Sequence, residues 1–309
     1  MRFPSLHLKS SFLLYFALLL LPLLGVRSVA NGQIIGRIIR GGGSGSRPIA
    51  FLDGGKTLAG LQLSRDINVV TLWDVKTGKV KHVLDVPVMQ AFAFSHSGKT
   101  LAMGSGAQFT GEVQLRDVAT GKLKKSMPKE RYDSGEKVVI GPVFSLAFSN
   151  DDSTLSVGVI REGEYSIAGE VLLLDTSTGK RRHTTKIESE TFDSLALCPA
   201  GQIVAAIDGA EIKLCSMKTG KVQRSLIKNK KHSPNYVDGA CFSPNGQTFY
   251  TSTRDRTIKV WNIKTGVVTK ALAKVAEPYR PFDPGLAVSP DGKMLAIGGK
   301  MGIHLIDIR

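Results

Sequence analysis

The feature that most constrains this chain is a strand–turn–strand segment that occurs six times along it. Each copy has an apolar stretch, a polar turn and a second apolar stretch, and successive copies begin 43 to 54 residues apart. The copies are FLDGGKTLA from Phe51, FSHSGKTLA from Phe94, FSNDDSTLS from Phe148, LCPAGQIVA from Leu197, FSPNGQTFY from Phe242 and VSPDGKMLA from Val288. A repeat of this length holds about four strands, and a four-stranded sheet cannot bury both of its faces alone. The spacing therefore predicts an all-β fold, a β-propeller of four-stranded antiparallel blades.

A second repeated segment, LWDVKTGKV at residues 72–80, contains a Gly-Lys pair of the kind that closes a phosphate-binding loop. Such a loop also needs a glycine five residues earlier and a helix afterwards, and none of the copies has them. An alternating, strand-like stretch follows the turn instead. We therefore expect the repeated glycines to be turn residues with positive φ, namely Gly78, Gly121, Gly179, Gly220 and Gly266.

The residues around these turns resemble the WD-repeat β-propeller family from Gln33 to Arg309. The resemblance rests on Trp73-Asp74, on STRDRTIKVWN at residues 252–262, and on FSPNGQT and VSPDGKM before the second strands. The Trp-Asp position is weakened in the other blades, where it reads Arg116-Asp117, Leu174-Asp175, Cys215-Ser216, Trp261-Asn262 and Ile306-Asp307. The family's Gly-His dipeptide is absent. The resemblance implies that Asp255 and Trp261 are a remnant of its buried hydrogen-bond network, and the weakened repeats are similar to bacterial members.

The two ends of the repeat array predict how the ring closes. The chain ends at GIHLIDIR, where the third strand of blade six finishes, and GQIIGRIIR at residues 32–40 has the form of an outer strand. The N-terminal strand can therefore complete blade six, which removes the exposed sheet edge of an open array. A seventh blade needs roughly 40 further residues, so we expect six blades. The alternative is a chain truncated from a seven-bladed propeller.

The N-terminus has the pattern of a secretory signal peptide over residues 1–30. Arg2 and Lys9 precede a charge-free run from Ser10 to Val26, and Ser28-Val29-Ala30 is a small-x-small site. We expect cleavage near Ala30, export to the periplasm or the extracellular space, and a mature propeller of residues 31–309 without a stable membrane span. The alternative is a membrane anchor, although the apolar run of 15 residues from Phe12 to Val26 is shorter than the roughly 20 that span a bilayer.

The chain is strongly basic, with a formal net charge of +15 that falls to +12 when Arg2, Lys9 and Arg27 are removed with the signal. An exported protein does not meet nucleic acid in its working compartment, so the charge is available for an acidic protein, an anionic polysaccharide or a membrane surface. The basic segment IKNKKH spans residues 227–232. The alternative is that the turn lysines only keep the protein soluble; these are Lys79, Lys122, Lys180 and Lys221.

Residues that carry chemistry are scattered over the repeats. The histidines lie in different blades, Asp151-Asp152 and the pair Glu162 and Glu164 lack a third ligand, and no nucleophile motif occurs. Cys198, Cys215 and Cys241 are an odd set on apolar strands, which favours buried small side chains over disulfides or a metal site. We therefore expect no cofactor and no metal, and a binding module rather than a propeller enzyme.

The lengths of the blades indicate where a partner binds. From the first turn to the Trp-Asp position, blades one, two and three have 21, 21 and 25 residues, and blades four to six have 17 or 18. We expect the surplus in the loop between the second and third strands, on the same face as the long link between blades two and three. Ordinary drift of loop length is the alternative. Aromatic and arginine side chains are enriched at binding hot spots, so the predicted protein-binding residues are Arg65, Phe109, Tyr132, Arg161 and Tyr165.

Overall fold

Six four-stranded antiparallel sheets, arranged as the blades of a ring, make up most of the described chain in the computed structural model. This confirms the predicted six-bladed propeller. The described residues are 28–30, 33–35, 37–39, 49–62, 68–89, 91–107, 110–127, 143–162, 167–187, 194–198, 201–209, 211–227, 236–253, 255, 257–272, 274–275, 285–299 and 302–309.

The strands are numbered along the chain. Three short strands come first: β1 (Ser28–Ala30), β2 (Gln33–Ile35) and β3 (Arg37–Ile39). Blades one to three are formed by β4 (Ile49–Leu52), β5 (Thr57–Gln62), β6 (Asn68–Asp74) and β7 (Val80–Val86); β8 (Ala91–Phe94), β9 (Thr100–Ala107), β10 (Thr110–Asp117) and β11 (Leu123–Ser126); and β12 (Val143–Phe148), β13 (Thr154–Glu162), β14 (Ile167–Asp175) and β15 (Arg181–Lys186). Blades four to six are formed by β16 (Ser194–Leu197), β17 (Ile203–Asp208), β18 (Glu211–Ser216) and β19 (Val222–Ile227); β20 (Val237–Phe242), β21 (Thr248–Thr253), β22 (Ile258–Asn262) and β23 (Val267–Leu272); and β25 (Leu286–Val288), β26 (Met294–Gly299), β27 (Gly302–Asp307) and β3. A 3₁₀ turn, Asp53–Gly55, follows β4, and β24 (Lys274–Val275) follows blade five.

The antiparallel order gives the disk two different faces. First strands of neighbouring blades contact one another and surround the axis of the ring. Turns between the first and second strands, and between the third and outer strands, lie at one end of every blade; we call this end the turn face. The connections between second and third strands, and the links between blades, lie at the other end, which we call the loop face.

Apolar residues pack between blades rather than within them. The described residues contain six clusters of buried side chains, and each cluster joins two consecutive blades. Between blades two and three, for example, Val113 and Leu115 pack with Leu155 and Val157. Alternation along each strand sends neighbouring side chains to opposite faces of the sheet, so every blade contributes to two clusters.

The turn glycines confirm the structural interpretation of the Gly-Lys pairs. All five adopt positive φ, between 69° and 78°, at Gly78, Gly121, Gly179, Gly220 and Gly266. In the turn between the first and second strands of blade three, Asp152 takes the same left-handed conformation with φ of 58°. Its carboxylate accepts bonds from the amides of His96 and Ser97 in blade two, at 2.6 and 3.0 Å.

The tryptophan network that the family resemblance implies is present only in part. Trp261 Nε1 donates to Thr251 Oγ1 at 3.0 Å. The carboxylate of Asp255 instead accepts bonds from Thr253 Oγ1 at 2.6 Å and from Thr257 Oγ1 at 3.0 Å. Trp261 thus bonds to a threonine of the second strand, and Asp255 bonds to the threonines on either side of it.

The expectation that the surplus residues lie in the loop between the second and third strands is wrong for blades two and three, where the strands themselves are longer. Their second and third strands form eight and nine residue pairs, whereas those of blade four form six. A hairpin can grow in this way because each added pair satisfies the backbone groups of its own partner strand. In blade one the described ladder has six pairs, as in blade four. Residues 63–67 lie outside the described residues, so the expected surplus in that loop stays a prediction.

The ring closes through the N-terminal segment, as predicted. Arg37–Ile39 pairs antiparallel with β27 and is the outer strand of blade six. Among the described residues of the predicted segment these are the three that do so, because Gln33–Ile35 pairs in parallel with Lys274–Val275 and antiparallel with Ser28–Ala30. Ile39 is 1 % exposed and lies in the cluster between blades six and one.

Loss of the Ile39 side chain should destabilise the whole ring. We expect Ile39→Ala to lower the free energy of unfolding by about 2–5 kcal/mol, because it leaves a cavity at the junction between blades six and one, where the two ends of the array meet. Urea unfolding followed by circular dichroism measures the change. Val83→Ala is the control, since Val83 is 52 % exposed on the outer strand of blade one. Equal effects of the two substitutions would show that the N-terminal strand does not hold the ring together.

Candidate interaction surfaces

The loop face of blades two and three carries two hairpins that extend past their neighbouring strands. In blade three the pairs Arg161↔Ala168 and Glu162↔Ile167 lie beyond the last pairs of the first and outer strands. The ladder is three pairs longer than that of blade four, which corresponds to about 10 Å of additional strand. Blade two extends similarly. These hairpins give the loop face a raised sector that blade four lacks.

Phe144 lies on the first strand of blade three, at its loop-face end. The pairing register shifts between Val143 and Ser145, so Phe144 is a bulge residue, and its side chain is 42 % exposed. Its neighbours are held firmly: Val143 is fully buried, and the Ser145 hydroxyl exchanges two 3.2 Å bonds with the backbone of Leu195 in blade four. The bulge therefore presents an aromatic ring from a rigid strand next to the raised sector.

Phe144 was not among the residues that the sequence pointed to, because alternation along VFSLAF gives no sign of a bulge. Of the predicted residues, Arg161 lies in β13, in the extended part of the hairpin. The other four, Arg65, Phe109, Tyr132 and Tyr165, lie outside the described residues, so their assignment to the site stays a prediction. The segment between Thr110 and Glu112, next to Phe109, belongs to the blade-two extension.

The turn face carries a repeated polar arrangement. In each turn before an outer strand, a side-chain oxygen accepts a bond from the amide three residues later; in blades one, two and three the acceptors are Asp74, Asp117 and Asp175. The pKa of each carboxyl is lowered mainly by one bond within its own turn. The donor is the Thr77 amide for Asp74, the Thr120 hydroxyl for Asp117 and the Ser177 hydroxyl for Asp175. The carboxylates therefore stay ionised and satisfied within their turns.

Basic side chains recur at fixed distances from the turn glycines. The fourth residue after the glycine is basic in all five copies: His82, Lys125, His183, Arg224 and Lys270. Three of them reach the next blade, since the ring Nε2 of His82 lies 2.9 Å from the Ala119 carbonyl oxygen, Lys125 donates to the Ser177 carbonyl, and Arg224 Nη1 donates to the Thr265 carbonyl at 2.9 Å. These bonds tie the rims of neighbouring blades together, and the recurring spacing is visible in the sequence.

The first residue after the glycine is a lysine in blades one to four. Within the described part of the chain, none of these ammonium groups has a hydrogen-bond or ionic partner, and all four residues are exposed: Lys79, Lys122, Lys180 and Lys221. They form an arc of positive charge along the turn face. Beyond Ile227, the predicted basic segment lies outside the described residues.

The three cysteines are free thiols in the structure. Cys198 and Cys215 are buried, and burial raises the pKa of the Cys241 thiol. Among the described residues, no group of three His, Cys, Asp or Glu side chains has a geometry that could hold a metal ion. Nor does the described part of the chain contain a helix long and apolar enough to cross a bilayer.

Comparison with known proteins identifies the repeat. The model of the family described as WD domain, G-beta repeat matches residues 221–262, which run from the turn of blade four to the end of the third strand of blade five. The histone transcription regulator slm9 of Schizosaccharomyces pombe is 26% identical over 172 residues, which are 54% of this chain and 19% of that protein. The chain thus spans about a fifth of the length of this relative.

Proposed function

We propose that this six-bladed β-propeller, in which residues 221–262 match the WD-domain family model, is a non-catalytic scaffold that binds a protein partner through the loop face of blades two and three. The observation that carries this proposal is the exposed Phe144 beside the two extended hairpins. Aromatic side chains that project from a rigid support are the usual centre of a protein interface.

The loop face suits this function because its support and its contact residues are separate. The blade clusters hold the first strands in place, so Phe144 can be replaced without disturbing the core on either side of blade three. Binding a partner here would cost the propeller little conformational entropy, since the strand that carries Phe144 is already ordered. The fission yeast relative is named as a regulator, a description that fits an interaction module better than an enzyme.

We expect Phe144→Ala to weaken partner binding by about 1 kcal/mol or more while the melting temperature stays unchanged, because a hot-spot aromatic is lost without a core cavity. Phe109→Ala, Tyr132→Ala and Tyr165→Ala should have similar effects if these residues complete the site. The partner is first captured on the wild-type chain from an extract of the native organism, and affinities are then titrated with the purified partner.

Leu123→Ala is the matched control for this series, since Leu123 is also a large exposed apolar side chain, 50 % exposed, but lies on the outer strand of blade two. A partner that binds the Phe144 variant as tightly as it binds the wild type and the Leu123 variant would place the interface elsewhere.

We propose further that the protein is exported, with residues 1–30 as the signal peptide. Cleavage after Ala30 removes β1 but leaves the pairing of Arg37–Ile39 with β27, so the closed ring is compatible with processing. Export would leave the basic surface available to partners outside the cytoplasm.

The mature protein should begin at Asn31, since Ala30 ends the small-x-small site. The intact mass of protein from the exported fraction measures this directly. Ala30→Arg should abolish processing, because the position accepts only small residues, and Asn31→Gln should leave it unchanged. A full-length species retained in the membrane fraction of wild-type cells would instead identify residues 1–30 as an anchor.

A second candidate function is the binding of an anionic polysaccharide. It is favoured by the arc of four exposed lysines without described partners on the turn face of blades one to four. The carboxylates of the turns before the outer strands, those of Asp74, Asp117 and Asp175, are bonded within their own turns and not to these lysines.

If this function holds, replacing the four arc lysines with glutamine should reduce the slope of log affinity against log salt for heparin or alginate by about 3, at roughly 0.7 per released counterion. Affinity chromatography over a salt series gives the slope. A triple variant of the other basic segment, with Lys228, Lys230 and Lys231 changed to Gln, is the control. Identical slopes for the wild type and the arc variant would show that the four lysines do not bind the polysaccharide and only keep the protein soluble.

A further inference from the structure

A groove with a volume of about 560 Å³ lies on the turn face between blades four and five. Blade four contributes residues from its second, third and outer strands, and blade five contributes its two turns. The lining residues are Ile203, Leu214, Gln223, Arg224, Gly246, Gln247, Asn262, Ile263 and Lys264. Its floor is formed by Ile203, which is partly exposed, above Leu214 and Ile263, which belong to the buried cluster between blades four and five. A polar rim surrounds this floor, which is the general composition of a binding site.

At the groove, blade four differs from blades one, two and three at two positions. In blades one, two and three, the third residue after the turn glycine is a cation that donates to a threonine at the start of the second strand, in the pairs Lys81 with Thr57, Lys124 with Thr100 and Arg182 with Thr154, at 2.8, 3.2 and 3.0 Å. In blade four these positions are Gln223 and Ile203. The polar contact is replaced by an apolar floor that no cation covers.

A bulge directs two successive side chains of blade four into the groove. The register of the outer strand shifts between Leu214 and Cys215, so that Gln223 has no opposite residue of its own and both Gln223 and Arg224 line the cleft. Arg224 is held in place by its 2.9 Å bond to the Thr265 carbonyl. A Cβ at Gly266 would lie only 2.6 Å from Arg224 Cδ, so the glycine makes room for this arginine. The guanidinium is therefore fixed before any ligand arrives and keeps further N–H donors.

The charge of the groove has one sign. Arg224 and Lys264 are cationic, and no Asp or Glu is among the lining residues. Asn262 stands where blades one, two and three have an aspartate, and its Oδ1 already accepts the Thr265 amide at 2.9 Å. Lys264 is exposed and has no partner among the described residues. An anionic group in this groove would meet two cations and no competing carboxylate.

We propose that this groove binds an extended segment of a protein that presents a carboxylate side chain next to a branched apolar side chain. The carboxylate would pair with Arg224 and Lys264, and the apolar side chain would pack on Ile203, the floor residue that is partly exposed. The groove lies on the face opposite to Phe144, so this interaction goes beyond the proposed function and gives the propeller a second, independent docking site.

The shape of the groove favours a peptide over a small acid or a polysaccharide. A site for a small molecule buries most of its ligand, whereas this cleft is open to solvent along the rim of the disk. A polysaccharide could bond to the side-chain amides of the polar rim but has no branched apolar group to place on Ile203. A peptide chain can place one apolar and one acidic side chain in the cleft while its backbone continues outside.

The test uses a phage-displayed library of random linear peptides, selected on the immobilised full chain and counter-selected on the Arg224→Gln/Lys264→Gln double variant. We expect enriched sequences in which Asp or Glu lies within a few positions of Leu, Ile, Val or Phe. A synthetic peptide of the leading sequence should bind about tenfold more weakly to Lys264→Gln, and its own Asp→Asn or Glu→Gln version should lose affinity similarly on the wild-type chain.

Three controls keep the result interpretable. Lys264→Gln removes a side chain without described partners, so its effect is one of charge, whereas Arg224→Gln also removes the bond to blade five. Lys79→Gln makes the same charge change on the rim of blade one and should leave peptide affinity unchanged. Phe144→Ala should also leave it unchanged, which separates this site from the loop face. Selection without acidic sequences, or equal losses with Lys79→Gln and Lys264→Gln, would overturn the proposal, as would displacement of every selected peptide by alginate.

Discussion

The mutual burial of neighbouring blades is the constraint on which the rest of this molecule depends. Each sheet has two apolar faces, and each of the six buried clusters joins one blade to the next, so no blade is complete without both neighbours. The cluster between blades six and one includes Ile39, which comes from the opposite end of the array. Since the sides of the blades are occupied in this way, the two ends of the disk remain for recognition.

The repeat also explains where recognition can arise on the turn face. A cation at the third position after the turn glycine covers its own blade, and a basic residue at the fourth position reaches the next one, as Lys81 and His82 do. Blade four keeps the second contact through Arg224 and loses the first through Gln223 and Ile203. The resulting cleft thus follows from a local departure from the repeat, with the inter-blade bond that shapes it retained.

The loop face departs from the repeat in another way. Extra residues in blades two and three extend the hairpin ladders, and a bulge in the first strand of blade three exposes Phe144. Both devices change the surface without changing the buried clusters below it. A propeller with differentiated sectors on its two faces has the geometry to hold two partners at once, which is the physical basis for the scaffold that we propose.

The sequence by itself determined the repeat, the turns and the closing segment, because these depend on local patterns: alternating apolar residues, glycines such as Gly78 that need positive φ, and a strand-like segment left over at each end. Counting the residues between the first turn and the Trp-Asp position located the surplus in blades two and three. The count did not show whether these residues lengthen the strands or the loop, since that depends on pairing across the hairpin. Only the tertiary structure decided the exposure of Phe144, which follows from a register shift, and the approach of Arg224 to Lys264, which lie in different blades. A contact between blades depends on residues that are far apart in the chain, and the groove also depends on the cation that blade four lacks at Gln223. Neither of these features produces a periodic signal in the sequence.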